Sequence, residues 1–185
     1  MPKIEDSDIS PQVLLDISLS VPAYSQKDSR WANDIVNGSG GKTIGDIGCA
    51  LTSVAMVLKY HRISATPATV NDDLGNDAYN LDWGLVPSKC ANNKVSLVTL
   101  LVNPTERTAL STAVGALEDK NPVIIGFEWY ENGKYKSHFV VIKGVYGDGR
   151  SLEDFTIIDA LNGNQRSLSY YSGKSIQRVI VYKKK

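Results

Sequence analysis

The chain has 185 residues, of which 42% are hydrophobic and 22% are charged, a balance typical of a folded globular domain. Lys plus Arg and Asp plus Glu number 20 each, so the formal net charge at pH 7 is zero, and the composition favours neither a nucleic acid nor an anionic membrane surface as partner. No apolar stretch approaches the roughly 20 residues of a membrane-spanning helix, so no membrane span is predicted.

The first part of the chain predicts a polar lead-in or linker over residues 1–19, followed by a single domain over 20–185. The acidic start of the chain lacks the apolar core of a signal peptide. Residues 21–26 contain Pro22 and predict an extended entry segment, because proline disfavours helix in the residue before it. Five glycines within residues 37–48 then predict a loop.

Helices are predicted next along the chain. The segment Cys49–Tyr60 is nearly free of charge, which indicates a helix buried on all sides. Thr66 and Pro67 mark the start of a second helix, with threonine as N-cap and proline at the first helical position. Residues 76–104 carry no clear pattern and are assigned only loosely. Residues 105–119 predict a third helix with an apolar face.

After Pro122 the pattern becomes typical of strands, which are predicted at 123–129, 138–145, 155–159 and 176–182. Asn132 and Gly133 stand between the first two, and an Asn-Gly step is a strong hairpin signal. Helices that precede a set of antiparallel strands predict an α+β fold.

Two residues suit a thiolate–imidazolium pair. Cys49 opens the apolar helix after Gly48, where the helix dipole lowers the pKa of a thiol. Gly48 is expected to leave room for a substrate backbone. The main-chain N–H of the residue after Cys49 is expected to point at an oxyanion. His138 opens a predicted strand. If the two meet in space, the protein is a cysteine hydrolase; the alternative for Cys49 is a small buried hydrophobic residue.

The other cysteine and the other histidine do not suit such a pair. Cys90 has no comparable setting and is predicted to be only a small buried residue. His61 lies about 18 Å from Cys49 along a helix axis, so it cannot act as base for Cys49. A helix C-cap or a surface position is predicted for His61.

A third group should orient the imidazole through its second nitrogen. Asp159 closes an apolar strand, where a carboxylate is costly unless it has a partner. If residues 145 and 155 face each other, however, His138 faces Asn162. Asp159 is favoured, and Asn162 is the alternative.

Several motifs together resemble the C39-like peptidase family. They are VPAYSQKD at 21–28, RWA at 30–32, TIGDIGCALTS at 43–53, TPATVN at 66–71 and SHFVVI at 137–142. The resemblance covers roughly residues 21–159. It implies a papain-like fold, in which an N-terminal helical lobe with a buried cysteine-bearing helix packs on a C-terminal antiparallel sheet.

Residue by residue, the resemblance makes Cys49 the nucleophile, His138 the base and Asp159 the orienting residue. It also makes Gln26 the side chain that completes an oxyanion hole. The chain departs from the family pattern where Ala160, instead of proline, follows Asp159, and where a long loop separates His138 from Asp159.

The expected reaction is hydrolysis of a peptide bond through an acyl-enzyme. The resemblance to free-standing family members makes peptidoglycan a candidate substrate, and with it an extracellular or virion-associated location, or a place within a larger protein. If the chain is not part of a larger protein, it is expected to be a monomer. If it is not extracellular or virion-associated, a cytoplasmic location is expected. No cofactor or metal is predicted, because the two histidines are far apart and the cysteines are not paired.

Two alternatives are kept. One is a transglutaminase-like acyl transferase on the same scaffold. The other is a catalytically silent module that binds a peptide or glycan in an aromatic groove, for which the candidates are Trp31, Trp83, Trp129, Tyr130 and Tyr135.

Overall fold

The computed structural model describes residues 14–185, so most of the predicted lead-in lies outside the described residues. Five α-helices and seven strands form this part of the chain. The helices are α1 Ile44–Ile47, α2 Cys49–Tyr60, α3 Pro67–Leu74, α4 Val86–Lys89 and α5 Glu106–Glu118. The strands are β1 Leu15–Ser18, β2 Val95–Val102, β3 Val123–Glu131, β4 Lys134–Gly147, β5 Phe155–Asp159, β6 Gln165–Ser167 and β7 Ser175–Lys184. Three short 3₁₀ segments are Gly75–Ala78, Leu152–Asp154 and Leu168–Tyr171.

Helix α2 has the predicted bounds and lies at the centre of the molecule. Its residues 51–58 are all buried, and it packs against β3 and β4. Such a helix gains its stability from burial of apolar side chains on every side. Helix α3 also begins as predicted, because the Thr66 side chain accepts a hydrogen bond from the Thr69 N–H and Pro67 occupies the first turn.

Gly48 separates α1 from α2, and a side chain at this position would collide with Ile44. A Cβ at this position would lie 2.5 Å from both Ile44 Cγ2 and Ile44 O. The space predicted for a substrate backbone is therefore occupied by Ile44. Glycine here permits α1 to end and α2 to begin without a loop between them.

The strands form one antiparallel sheet in the order β2-β7-β3-β4-β5-β6, with β1 paired to the far end of β4. The predicted hairpin joins β3 to β4 at Asn132 and Gly133, whose φ angles are 51° and 72°. Positive φ at both positions is the geometry that favours Asn-Gly. The α+β prediction is confirmed.

Three of the described strands were not predicted. β1 comes from the end of the predicted lead-in, β2 from the loosely assigned region, and β6 from the segment after Asp159. Each is completed by a partner elsewhere in the chain, and β2 pairs with β7 near the C-terminus. Within residues 14–185, the helices are too short or too polar to cross a lipid bilayer.

Candidate active site

Cys49 is the first residue of α2 and is 9% exposed. The first hydrogen bond of this helix runs from the Thr52 N–H to the Gly48 carbonyl. The N–H groups before Thr52 therefore precede the helical ladder, as at any helix N-terminus, and create a positive potential there. The Cys49 thiol occupies this end of the helix, as predicted, and forms no disulfide.

His138 lies on β4, where it forms a hydrogen bond with Asp159 and lies near enough to Cys49 for the two side chains to interact. Its Nε2 is 2.7 Å from Asp159 Oδ1, which leaves Nδ1 for the Cys49 thiol. Burial alone lowers the pKa of His138, but the hydrogen bond to Asp159 and the interactions with Cys49 outweigh it and raise the pKa to about 9. The imidazole is therefore protonated at neutral pH and can donate from both nitrogens.

The Asp159 carboxylate is 1% exposed and has a donor on each oxygen. Oδ1 accepts from the Leu161 N–H at 3.0 Å as well as from His138, and Oδ2 accepts from the Tyr171 hydroxyl at 2.8 Å. Burial raises the pKa of Asp159, but these hydrogen bonds and the charge of His138 lower it to about 2. The carboxylate thus stays charged although it is buried.

Asn162 lies in the turn after β5 and is exposed. Its Oδ1 accepts from the Asn164 N–H at 3.0 Å, and its own N–H donates to the Asp159 carbonyl. The side chain that contacts His138 is therefore that of Asp159, and Asn162 shapes the turn.

Gln26 connects helix α1, which precedes Cys49, with the residue that follows β5. Its Nε2 donates to the Gly45 carbonyl at 2.9 Å, and its backbone N–H donates to the Ala160 carbonyl at 2.8 Å. The side chain is 4% exposed. An amide nitrogen has two hydrogens, and only one is used by Gly45, so one donor is left for a ligand.

Tyr171 and Arg166 complete the surroundings of the histidine and the carboxylate, and sequence reasoning missed both. The Tyr171 ring lies between Phe127, at 4.9 Å between ring centroids and nearly parallel, and His138, at 5.7 Å. Arg166 Nε is 3.6 Å from Asp159 Oδ2. Both residues belong to the unpredicted segment after β5, and no local signal marks them.

The remaining cysteine and histidine lie apart from these residues. Burial raises the pKa of Cys90 to about 12, which keeps this thiol protonated and unreactive. His61 caps the C-terminus of α2, as predicted, and is buried, with Nε2 3.0 Å from the Tyr182 carbonyl oxygen. Within the described chain, His, Cys, Asp and Glu side chains form no group of three suited to a metal ion.

The five candidate groove aromatics are dispersed. Trp83 and Tyr135 line a groove of about 490 Å³ that also includes Ala50, the residue after Cys49. Trp31 is buried against Tyr24. Trp129 lies under the Lys174 ammonium, and Tyr130 is exposed beside Tyr135.

Comparison with known proteins identifies the family of the chain and a solved structure with a similar fold. The family described as "Peptidase_C39 like family" matches residues 18–182. Among solved structures, the chain is similar to a double glycine motif protease from an AMS/PCAT transporter, crystallised in complex with the leader peptide. The TM-score is 0.52 at 17% identity, over 94% of this chain and all of that one, which indicates a shared papain-like fold. No curated protein sequence matches the chain.

The family match spans nearly the whole of the described chain and includes the residues around Cys49, His138 and Asp159. The chain belongs to the Peptidase_C39-like family.

Proposed function

We propose that the protein is a cysteine peptidase in which Cys49 is the nucleophile, His138 the general acid and base, and Asp159 the orienting residue. The observation that carries the proposal is the hydrogen bond between His138 and the buried Asp159, with Cys49 near enough to His138 to raise its pKa. A buried carboxylate and a protonated imidazole beside a thiol at a helix N-terminus are the surroundings that favour a thiolate.

In the proposed reaction, the Cys49 sulfur attacks the carbonyl carbon of the scissile peptide bond, and the negative charge passes to the carbonyl oxygen. The spare N–H of Gln26 and the N–H groups at the start of α2 are the donors available to that oxygen. His138 then donates its proton to the leaving amine as the C–N bond breaks, and a thioester remains on Cys49.

Hydrolysis of the thioester completes the cycle. His138, now neutral, accepts a proton from a water molecule that attacks the thioester carbonyl. The C–S bond breaks, the acid product leaves, and the thiolate–imidazolium pair is restored. Asp159 keeps the imidazole in one orientation during both proton transfers.

The proposal is tested by the rate of Cys49 alkylation with iodoacetamide between pH 5 and 10, followed by mass spectrometry of the peptide that contains Cys49. If Cys49 is paired with His138, wild type should be alkylated faster than His138→Ala at and below neutral pH. Cys90→Ser serves as the control background. Reactivity that ignores His138 would contradict the proposal.

The substrate side of the proposal concerns peptides. The similar solved protease was crystallised with a leader peptide, and peptidoglycan stem and bridge peptides are the second class to test. Incubation of purified cell-wall fragments and of a double-glycine peptide, each with wild type and Cys49→Ala, separates the two classes through the products released. The same reactions with an added primary amine distinguish hydrolysis from acyl transfer, because a transferase incorporates the amine.

A further inference from the structure

A groove beside the proposed catalytic residues contains a positive charge that the proposed mechanism does not use. The groove is lined by the start of α2, the segment before α4, and the first parts of β4 and β7. Ser137 and Phe139, on either side of His138 in sequence, belong to its lining, as does Ala50, next to Cys49. A peptide held at Cys49 therefore has this groove as a neighbouring surface.

The sheet directs Arg178 into this groove. The pairing of β3 with β7 shifts between Gly126 and Phe127, so that Gln177 is an extra residue on β7. Such a bulge re-aims side chains on the bulged strand, and both Gln177 and Arg178 line the groove. Gly126, opposite Arg178, has no side chain, and the Phe139 ring occupies the space that a Cβ would need.

Arg178 is half-buried and lacks a carboxylate partner within the part of the chain that the structure describes. One of its N–H groups donates to the neighbouring Gln177 carbonyl at 2.9 Å. A guanidinium has five N–H donors in a planar fork that matches a carboxylate. A partly desolvated cation with unused donors is costly unless a ligand compensates it. Arg166 differs, because Asp159 and the Tyr170 ring both contact it.

Two other charged groups near the groove have hydrogen-bond partners. Glu128 accepts a hydrogen bond from the Tyr135 hydroxyl at 2.9 Å, and that hydroxyl in turn accepts from Gln177 Nε2 at 2.9 Å. Lys42 donates to the Tyr79 hydroxyl at 3.2 Å. Arg178 is thus the groove-lining cation with donors available to an anionic ligand.

We propose that Arg178 binds a carboxylate of the peptide substrate, within about three residues of the scissile bond. The inference rests on the proposed peptidase function. Phe139, Gly126 and Arg178 lie in one row across three strands, which places Arg178 roughly 10 Å from Phe139 at ~4.8 Å per strand. An extended peptide covers that distance in about three residues. The carboxylate belongs either to an acidic side chain or to the substrate C-terminus.

The test uses two sets of thiol-alkylating peptides, with labelling of Cys49 measured by mass spectrometry. Peptidyl chloromethyl ketones place residues on the acyl side, and N-chloroacetyl peptides place residues on the leaving-group side. Each set carries Glu, Gln or Lys at the second or third residue from the reactive carbon. A chloroacetyl tripeptide with a free or an amidated C-terminus separates a terminal carboxylate from a side chain.

The expected result is that one carboxylate-bearing probe labels wild type about tenfold faster than its neutral counterpart. Arg178→Gln should abolish the difference and Arg178→Glu should favour a Lys probe, whereas the exposed Arg107→Gln should change nothing. Equal labelling by all pairs, or a difference that survives in Arg178→Gln, would overturn the inference. If the Arg178 inference fails but iodoacetamide labelling of Cys49 still depends on His138, the peptidase proposal stands. If iodoacetamide labelling does not depend on His138, both the peptidase proposal and the Arg178 inference fail.

Discussion

Asp159 lies opposite Val140 on β4, and its carboxylate reaches His138, two residues before Val140 on that strand. This diagonal contact depends on a bulge at Lys143, where the pairing of β4 with β5 shifts by one residue between Ile142 and Gly144. Without the shift, the register set by Val145 and Phe155 would place Asp159 opposite Val141, on the other face of the sheet. One extra residue thus puts the carboxylate and the imidazole on the same face.

The first prediction concerns the pH dependence of peptide hydrolysis. The basic limb of the kcat/KM profile should lie near pH 9, because His138 must be protonated to serve the leaving amine and its pKa is raised to about 9. Asp159→Asn removes a charge that raises this pKa while the burial that lowers it remains. The basic limb should therefore move to lower pH, toward 6.5 or below. An unmoved limb in Asp159→Asn, with Asn162→Ala as control, would show that Asp159 does not set the proton affinity of His138.

Gln26→Ala should separate two steps that His138→Ala affects together. Loss of an oxyanion donor lowers kcat by roughly 10²- to 10³-fold. Alkylation by iodoacetamide forms no oxyanion, so its rate should change little in Gln26→Ala. Steady-state hydrolysis and alkylation are measured side by side, with the exposed Gln165→Ala as control. A parallel loss of both rates would instead indicate that Gln26 supports the position of Cys49.

Tyr171→Phe should remove the hydrogen bond from the Tyr171 hydroxyl to Asp159 and keep the aromatic packing against Phe127. The buried Oδ2 loses the donor at 2.8 Å, which should lower the free energy of unfolding by ~1–3 kcal/mol. The hydrogen bond to Tyr171 also contributes to the low pKa of Asp159, so its loss should raise that pKa and shift the acid limb of kcat/KM upward. Urea unfolding and the pH profile measure the two effects. The exposed Tyr170→Phe should leave both unchanged, and an identical response of the two variants would exclude a positioning role.

Gly48→Ala tests the junction between α1 and α2. The added Cβ would meet Ile44 Cγ2 and Ile44 O, each at 2.5 Å, and a backbone oxygen cannot move without displacing the start of α2. We expect a loss of stability of ~1–3 kcal/mol together with a large loss of activity. Gly115→Ala is the same chemical change within α5, where no heavy atom lies within 4 Å of the added Cβ, and it should stabilise the helix by ~1 kcal/mol. Denaturant titration of both variants should give opposite signs.

Sequence reasoning was accurate where a local rule acts on a short segment. The N-cap at Thr66, the hairpin at Asn132 and the apolar run of α2 each depend on residues within one turn or one helix. It was weakest for β2, whose eight residues are completed as a strand by β7, about 80 positions later. Val95, Val98, Thr99 and Val102 are β-branched and suit a strand, but these residues do not show which distant segment they pair with.

The sequence by itself determined the helix that begins at Cys49, the order of helices before strands, and the residue types that suit a thiolate–imidazolium pair. The tertiary structure decided which side chains contact one another. The bulge at Lys143 places Asp159, and not Asn162, against His138, and it is the fold that brings the Tyr171 ring against His138. The bulge on β7 directs Arg178 into the groove. The reason is physical. Helix caps and apolar patterns follow from interactions between near neighbours, whereas register and side-chain contact across a sheet follow from the packing of segments far apart in the chain.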